Sequence, residues 1–128
     1  NGDYGDFDYN YMIYLVNRER ENVGSRPLTY NHKLNKAAQL HSEYQAQVGR
    51  MSHSGIYGSS PFERIRNTGY RSSGEAENVA YNQQSVEEVV NTWVNSPGHY
   101  RNMVNPEFTE MGAGMADYYW TQTFGCGD

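Results

Sequence analysis

An α+β domain is predicted by three features of the 128-residue chain. Four segments in its first two thirds carry apolar residues at helical spacing. The later stretch MGAGMADYYWTQTFG, with small residues, aromatics and a central Asp117, reads as two strands joined by a tight turn. No internal repeat, low-complexity tract or Pro-rich linker divides the chain, and its length suits one domain with a real core. Helices first and strands last make a layered α+β fold. Residues 1–7 are expected to form a lead-in segment and residues 8–128 a single domain.

The first helix is expected from about Phe7 to Asn22, capped by Asp6 or Asp8, with Met12, Leu15, Val16 and Val23 on one face and Gly24 as its stop. RPLTYNHKL follows as a Pro-directed extended link. Leu34, Ala37, Ala38, His41, Tyr44 and Val48 then recur at helical spacing as far as Gly49, marking a second core-facing helix. Ser60 and Pro61 are a serine cap and a first-turn proline for a short third helix that carries Phe62, Ile65 and Arg66 and ends near Gly69. The clearest signals belong to the fourth. Ser85 with Glu88 three residues on is a capping box, Val86, Val89, Val90, Trp93 and Val94 form one stripe, and NSPG stops the helix.

A net charge of -5 and a pI near 5.3 offer no basic stripe for a phosphate backbone, so nucleic acid is excluded as a partner. The longest apolar run, YMIYLV, falls far short of the roughly 20 residues that span a bilayer. A start at Asn1, without methionine or leader, is what removal of a signal peptide leaves, although trimming would look the same. Cys126 is the single cysteine, so no disulfide forms within the chain, and pairing with another chain stays open. Twelve tyrosines suit either core filling or a groove that wants apolar faces with polar tips.

Four histidines carry most of the available chemistry. His41 sits on the apolar stripe of the second helix and reads as a hydrogen-bonded core residue. His32 reads as solvated. His53 lies in the loop-like RMSHSGIYG and His99 directly follows SPG, positions where functional side chains tend to sit, although His99 could equally bond the last carbonyls of the fourth helix. Glu75 and Glu77 share a face if their segment is extended. No HExxH, GxSxG, phosphate loop, dinucleotide fingerprint or EF-hand is present.

Taken in order, LVNRERENVGSRPLTYNHKLNKAAQLHSEYQAQ, MSHSG, RIRNTGY, AENVAY, VVNTWVNSPGHYRNM and YWTQTFG resemble the CAP superfamily of cysteine-rich secretory proteins, antigen 5 and group-one pathogenesis-related proteins. The likeness is to its cysteine-poor, SCP-like extracellular branch and covers residues 8–125. It implies an α-β-α sandwich with a small antiparallel sheet between helices, and a cleft lined by histidines and glutamates. Glu77, beside Asn78, matches the glutamate of the family's G-E-N signature, and His53 matches its first histidine. Ser96 stands where eukaryotic members carry a second glutamate, and Tyr119 or Tyr118 where their second histidine is expected, so His99 is the residue that would supply the missing group. The implied site is His53, Glu77 and His99, with Asn78, Ser96 and Tyr119 as ligand-binding neighbours.

Two imidazoles and a carboxylate would match a three-ligand zinc, or other divalent-cation, site with water in the fourth position, His53 and His99 supplying the nitrogens. The resemblance also implies a secreted monomer that binds a lipid, a sterol or a protein target. A metal-assisted hydrolase and a purely structural extracellular domain are the competing readings.

Overall fold

The computed structural model describes residues 7–127; the turn-rich lead-in over residues 1–6 and the Asp6 cap lie outside it. Helix α1 runs Tyr9–Asn22 and starts where Asp8 accepts a hydrogen bond from the Tyr11 amide at 3.0 Å. Met12 and Val16 face the core, but the third residue of that stripe is Arg20, fully buried, while Val23 is exposed at the C-cap. Arg20 lies under the segment leading to the C-terminal hairpin. Its guanidinium donates to the carbonyls of Arg26, Met103, Asn105 and Phe108 at 2.7–3.0 Å. Those acceptors make the buried charge tolerable without a carboxylate.

Strand β1 is Thr29–Tyr30, and helix α2 is His32–Val48, capped by Asn31 and ended by Gly49 in the left-handed region. A single 3₁₀ turn at Ile56–Gly58 precedes helix α3, Pro61–Asn67, where the Ser60/Glu63 capping box is complete. Strand β2 is Glu75–Tyr81. Helix α4 is Val86–Val94, with the expected stripe buried along Val86, Val89, Val90 and Trp93. Its box is only half formed, since the Glu88 carboxylate takes the Gln84 amide at 3.1 Å while Ser85 takes the Glu88 amide.

SPG does more than stop α4. Pro97 opens a further helix, α5, Pro97–Val104, which places His99 in a first helical turn and not in a loop after α4. Strands β3, Glu110–Ala116, and β4, Tyr119–Gly125, close the chain as the expected hairpin. Asp117 and Tyr118 both take positive φ, 48° and 65°, the geometry that matches a two-residue turn to strand twist.

The sheet order is β1-β3-β4-β2. It is mixed: β1 pairs parallel with β3 over two residues, and the rest is antiparallel. One face packs on α1, α4 and α5 through a core that includes Met12, Trp93, Met103, Met111, Trp120 and Phe124. The other face takes α2, with α3 beside it, around Leu34, Ala37, Ile65 and Tyr70. Helices on both faces make the sandwich.

Helix α2 sits unusually close to β3. A Cβ on Gly112 would run into the backbone of Leu34 and Asn35, and one on Gly114 into that of Gln39. The contact also seals the edge of β3 that β1 is too short to cover, because Asn35 accepts from the Ala113 amide at 3.1 Å and Gln39 accepts from the Met115 amide at 3.0 Å. An edge capped by side chains offers no template to another strand.

A Gly114→Ala substitution is expected to lower unfolding stability by about 1–3 kcal/mol, because the methyl group meets backbone and not a movable side chain. Urea unfolding followed by circular dichroism measures it, and an unchanged midpoint would refute the close contact.

Candidate functional site

β2 is one of the sheet's two edge strands, and successive side chains of a strand point to opposite faces. Glu77 therefore faces the α2–α3 layer and its neighbour Asn78 faces α5. One dipeptide organises both sides of a cleft.

On the first side, the Glu77 carboxylate is almost fully buried and holds two partners directly. Arg64 of α3 donates to Oε2 at 2.5 Å, and His53 Nδ1 lies 2.9 Å from Oε1. Arg64 uses its other terminal nitrogen on the His53 and Ser59 carbonyls at 2.9 and 2.7 Å, so a single guanidinium pins the loop over residues 53–59. A third group approaches from α2. His41 Nε2 stands 3.9 Å from Glu77 Oε1 and donates to the Ser52 carbonyl at 2.6 Å, while Gln45 accepts from the Ser52 amide at 3.0 Å. Burial holds the His41 pKa below the usual histidine range, more than Glu77 raises it. Its Nδ1 is buried without a hydrogen-bond partner, consistent with a neutral ring.

On the second side, Asn78 donates to the His99 carbonyl at 3.1 Å and to Gln122 Oε1 at 3.1 Å, and accepts from Asn102 at 2.9 Å. This fixes the first turns of α5 against the strand. His99 Nδ1 pairs with Ser96 Oγ at 2.8 Å, so the N-cap serine serves the imidazole and makes no side-chain bond to the helix amides. Burial and the nearby charge of His53 lower the His99 pKa. Both cleft imidazoles are thus anchored through Nδ1, and the His53 side chain is 54% exposed.

A model of the cysteine-rich secretory protein family, CAP, matches residues 13–126. The chain belongs to the CAP family. This CAP domain is 35% identical over 115 residues to the uncharacterized protein YkwD of Bacillus subtilis, and 32% identical over 114 residues to the uncharacterized membrane protein YlbC of the same organism. Each match takes in 88% of this chain but only 45% and 33% of those proteins, so the chain spans less than half the length of the curated relatives it matches. Its fold is shared with an extracellular SCP-domain protein of Bacillus anthracis, at TM-score 0.87 and 24% identity over 91% of this chain and 39% of that one. An outer surface protein of Borrelia burgdorferi gives TM-score 0.82 and 21% identity over 93% and 92%. Among the described residues, no helix is long and apolar enough to cross a membrane.

Within the CAP cleft, the expected residues divide. His53 and Glu77 meet directly, His99 and Ser96 meet each other, and Asn78 is a buried brace and not a surface ligand group. Tyr119 is elsewhere. It pairs with Tyr81 at the far end of β2 and stacks on that ring at 4.1 Å. Glu77 pairs with Thr123, four residues along β4, which at the strand rise is about 13 Å away. Arg64 and the loop-holding role of His41 were not anticipated. A helical arginine gives no local sign of a strand glutamate 13 positions on, and His41 lies on a stripe that the core alone would explain.

Replacing Glu77 with Gln leaves the part-buried Arg64 without its counter-charge, and a loss of about 3 kcal/mol is expected in chemical unfolding. A loss below ~1 kcal/mol would deny the pair its structural role. The lowered pKa values of His41 and His99 set a pH dependence. The unfolded chain takes up protons near pH 6.5 before the folded one does, so stability falls as pH drops through that value toward the folded pKa values. Unfolding midpoints from pH 8 to about 5 should show a smaller decline in His41→Asn than in the parent.

Proposed function

We propose that this CAP domain is an extracellular binding module for a lipid, a sterol or a protein target, and that His53, Glu77 and His99 shape its cleft without cutting a bond. The observation that carries this reading is the state of Glu77. Both its oxygens are engaged, one by Arg64 and one by His53, in a nearly solvent-free position. The buried carboxylate has no open approach from solvent and is set to orient the His53 ring and the Arg64 guanidinium. Ser52 Oγ is turned back to accept the Ser54 amide at 2.9 Å, away from His53. The surroundings of Glu77 fit a brace for the loop over residues 53–59.

The same engagement bears on zinc. Among the described residues, no three His, Cys, Asp or Glu side chains are arranged to hold a metal ion. The three-ligand hydrolytic centre that His53, Glu77 and His99 would have formed does not fit this donor set. A second reading keeps the two imidazoles alone. Each has its Nδ1 tied to an oxygen, to Glu77 for His53 and to Ser96 for His99. Such bonds are how proteins orient a histidine that ligates through Nε2. A bound divalent cation would act there as a bridge to ligand oxygens.

Thermal-shift screening against fatty acids, sterols and candidate proteins, run beside fluorogenic ester and peptide substrates with and without zinc, tests the reading. Saturable shifts with no turnover are expected. Zinc-dependent turnover that disappears in His53→Ala would overturn it. For the second reading, calorimetric titration of zinc near pH 7.5 should give one weak site, lost in both His53→Ala and His99→Ala; heat that survives in either variant would exclude the shared site.

A further inference from the structure

The lobe made of α2, the loop over residues 50–59 and α3 has a charge opposite to that of the chain. Residues 33–71 hold six lysines and arginines against two glutamates, in a chain with ten basic and fifteen acidic residues. Lys36, Arg50 and Arg66 are exposed on this lobe, and Arg66 lies over the Phe62 ring. The Arg66 Nε is 3.9 Å from Glu75, and Arg64 is paired with Glu77, so those two charges are partly offset. The positive field is local, and the rest of the molecule is acidic.

The same lobe presents apolar side chains to solvent. Leu40, Met51, Ile56 and Phe62 are each about half exposed, and Tyr57 is 99% exposed. An open groove of about 290 Å³ runs between α2 and α3, with Lys36, Leu40, Tyr44 and Ile56 on its walls.

Tyr57 is the most informative of these. It takes φ 57° and ψ 26°, a left-handed conformation that is costly for any residue with a Cβ. The fold enforces it through the Gly58 amide to the Gly55 carbonyl at 2.9 Å, the Ser59 amide to the Ile56 carbonyl at 3.1 Å, and Arg64 beneath. A strained backbone that delivers an aromatic ring wholly into solvent gains the core nothing. Strain of this kind points to a use outside the fold.

We propose that this lobe docks on a bilayer surface containing anionic lipids, with Ile56 and Tyr57 entering the headgroup region and Lys36, Arg50 and Arg66 over the phosphates. The proposal rests on the binding-module reading and names a surface next to the His53–His99 cleft, with which it shares Arg64 and the loop over residues 53–59. A tyrosine ring with its hydroxyl suits the boundary between acyl chain and water. A basic patch with a few apolar side chains is the combination that holds a protein in that plane. Projecting side chains on separate elements, in place of one enclosed pocket, favour a fluid surface that closes around them over a partner of fixed shape.

Co-sedimentation of the whole chain with phosphatidylcholine vesicles, and with vesicles containing about a third phosphatidylglycerol, tests this. Binding is expected only to the mixed vesicles, and it should weaken as salt is added. Combined Lys36→Glu, Arg50→Glu and Arg66→Glu changes should weaken it on the order of a hundredfold, and Arg18→Glu on α1 should leave it unchanged. Tyr57→Gly separates docking from folding, since it removes the ring and relieves the backbone: reduced binding with thermal stability at or above the parent's is the expected pair of results. Equal binding to both vesicle types, full binding by the triple variant, or capture of polyglutamate without vesicle binding would each overturn the proposal. Failure on vesicles together with a cleft ligand from the thermal-shift screen would discard this surface and leave the binding module standing.

Discussion

The site depends on how closely α2 lies on β3. Two glycines, Gly112 and Gly114, let helix and strand backbones touch. Asn35 and Gln39 then turn the contact into hydrogen bonds along the strand edge. With α2 fixed in this way, the side chains one and two turns further on are fixed too. Ser42 meets Thr121 at 2.8 Å, and His41 and Gln45 take the two backbone groups of Ser52. The residue after Ser52 is His53. The position of the first cleft histidine is therefore set by a helix–strand contact that does not involve it.

From there the logic passes to β2. An edge strand with both faces covered can brace two helical layers with adjacent residues, and Glu77 and Asn78 do so. The charged member faces Arg64, whose positive charge offsets its burial. The amide member faces α5, where a network of neutral groups needs a donor and an acceptor in one side chain. Exchanging the two would bury a carboxylate against carbonyl oxygens. That constraint explains an Asn after a Glu at this point without reference to any reaction.

The elements with local signals were legible. Asp8, Ser60 and Ser85 cap helices where the sequence places caps, and the stripes of α2 and α4 face the core along most of their length. Val48, expected on the α2 stripe, ends up 48% exposed at the last turn. The hairpin turn at Asp117 and Tyr118 was legible for the same reason. β2 was harder to read. EAENVAY has no clean alternation, because helices cover both faces and each side chain answers to a different layer. α5 was hidden by its proline, which stops one helix and starts the next with the same residues.

Chain chemistry by itself determined the class of fold, the ends of most helices and the acidic balance, while the grouping of His53, Glu77 and His99 came from the family resemblance. These follow from interactions between residues a few positions apart, or from motifs in a recognisable order. Tertiary structure alone decided that Glu77 is held by Arg64, that Arg20 is buried among four carbonyls, that Tyr119 stands at the far end of the strand, and that the basic and apolar exposed residues of α2, α3 and the intervening loop share a lobe. A charge or a carboxylate finds its partner through space, and the pairing register and packing distances that set that space belong to the whole sheet.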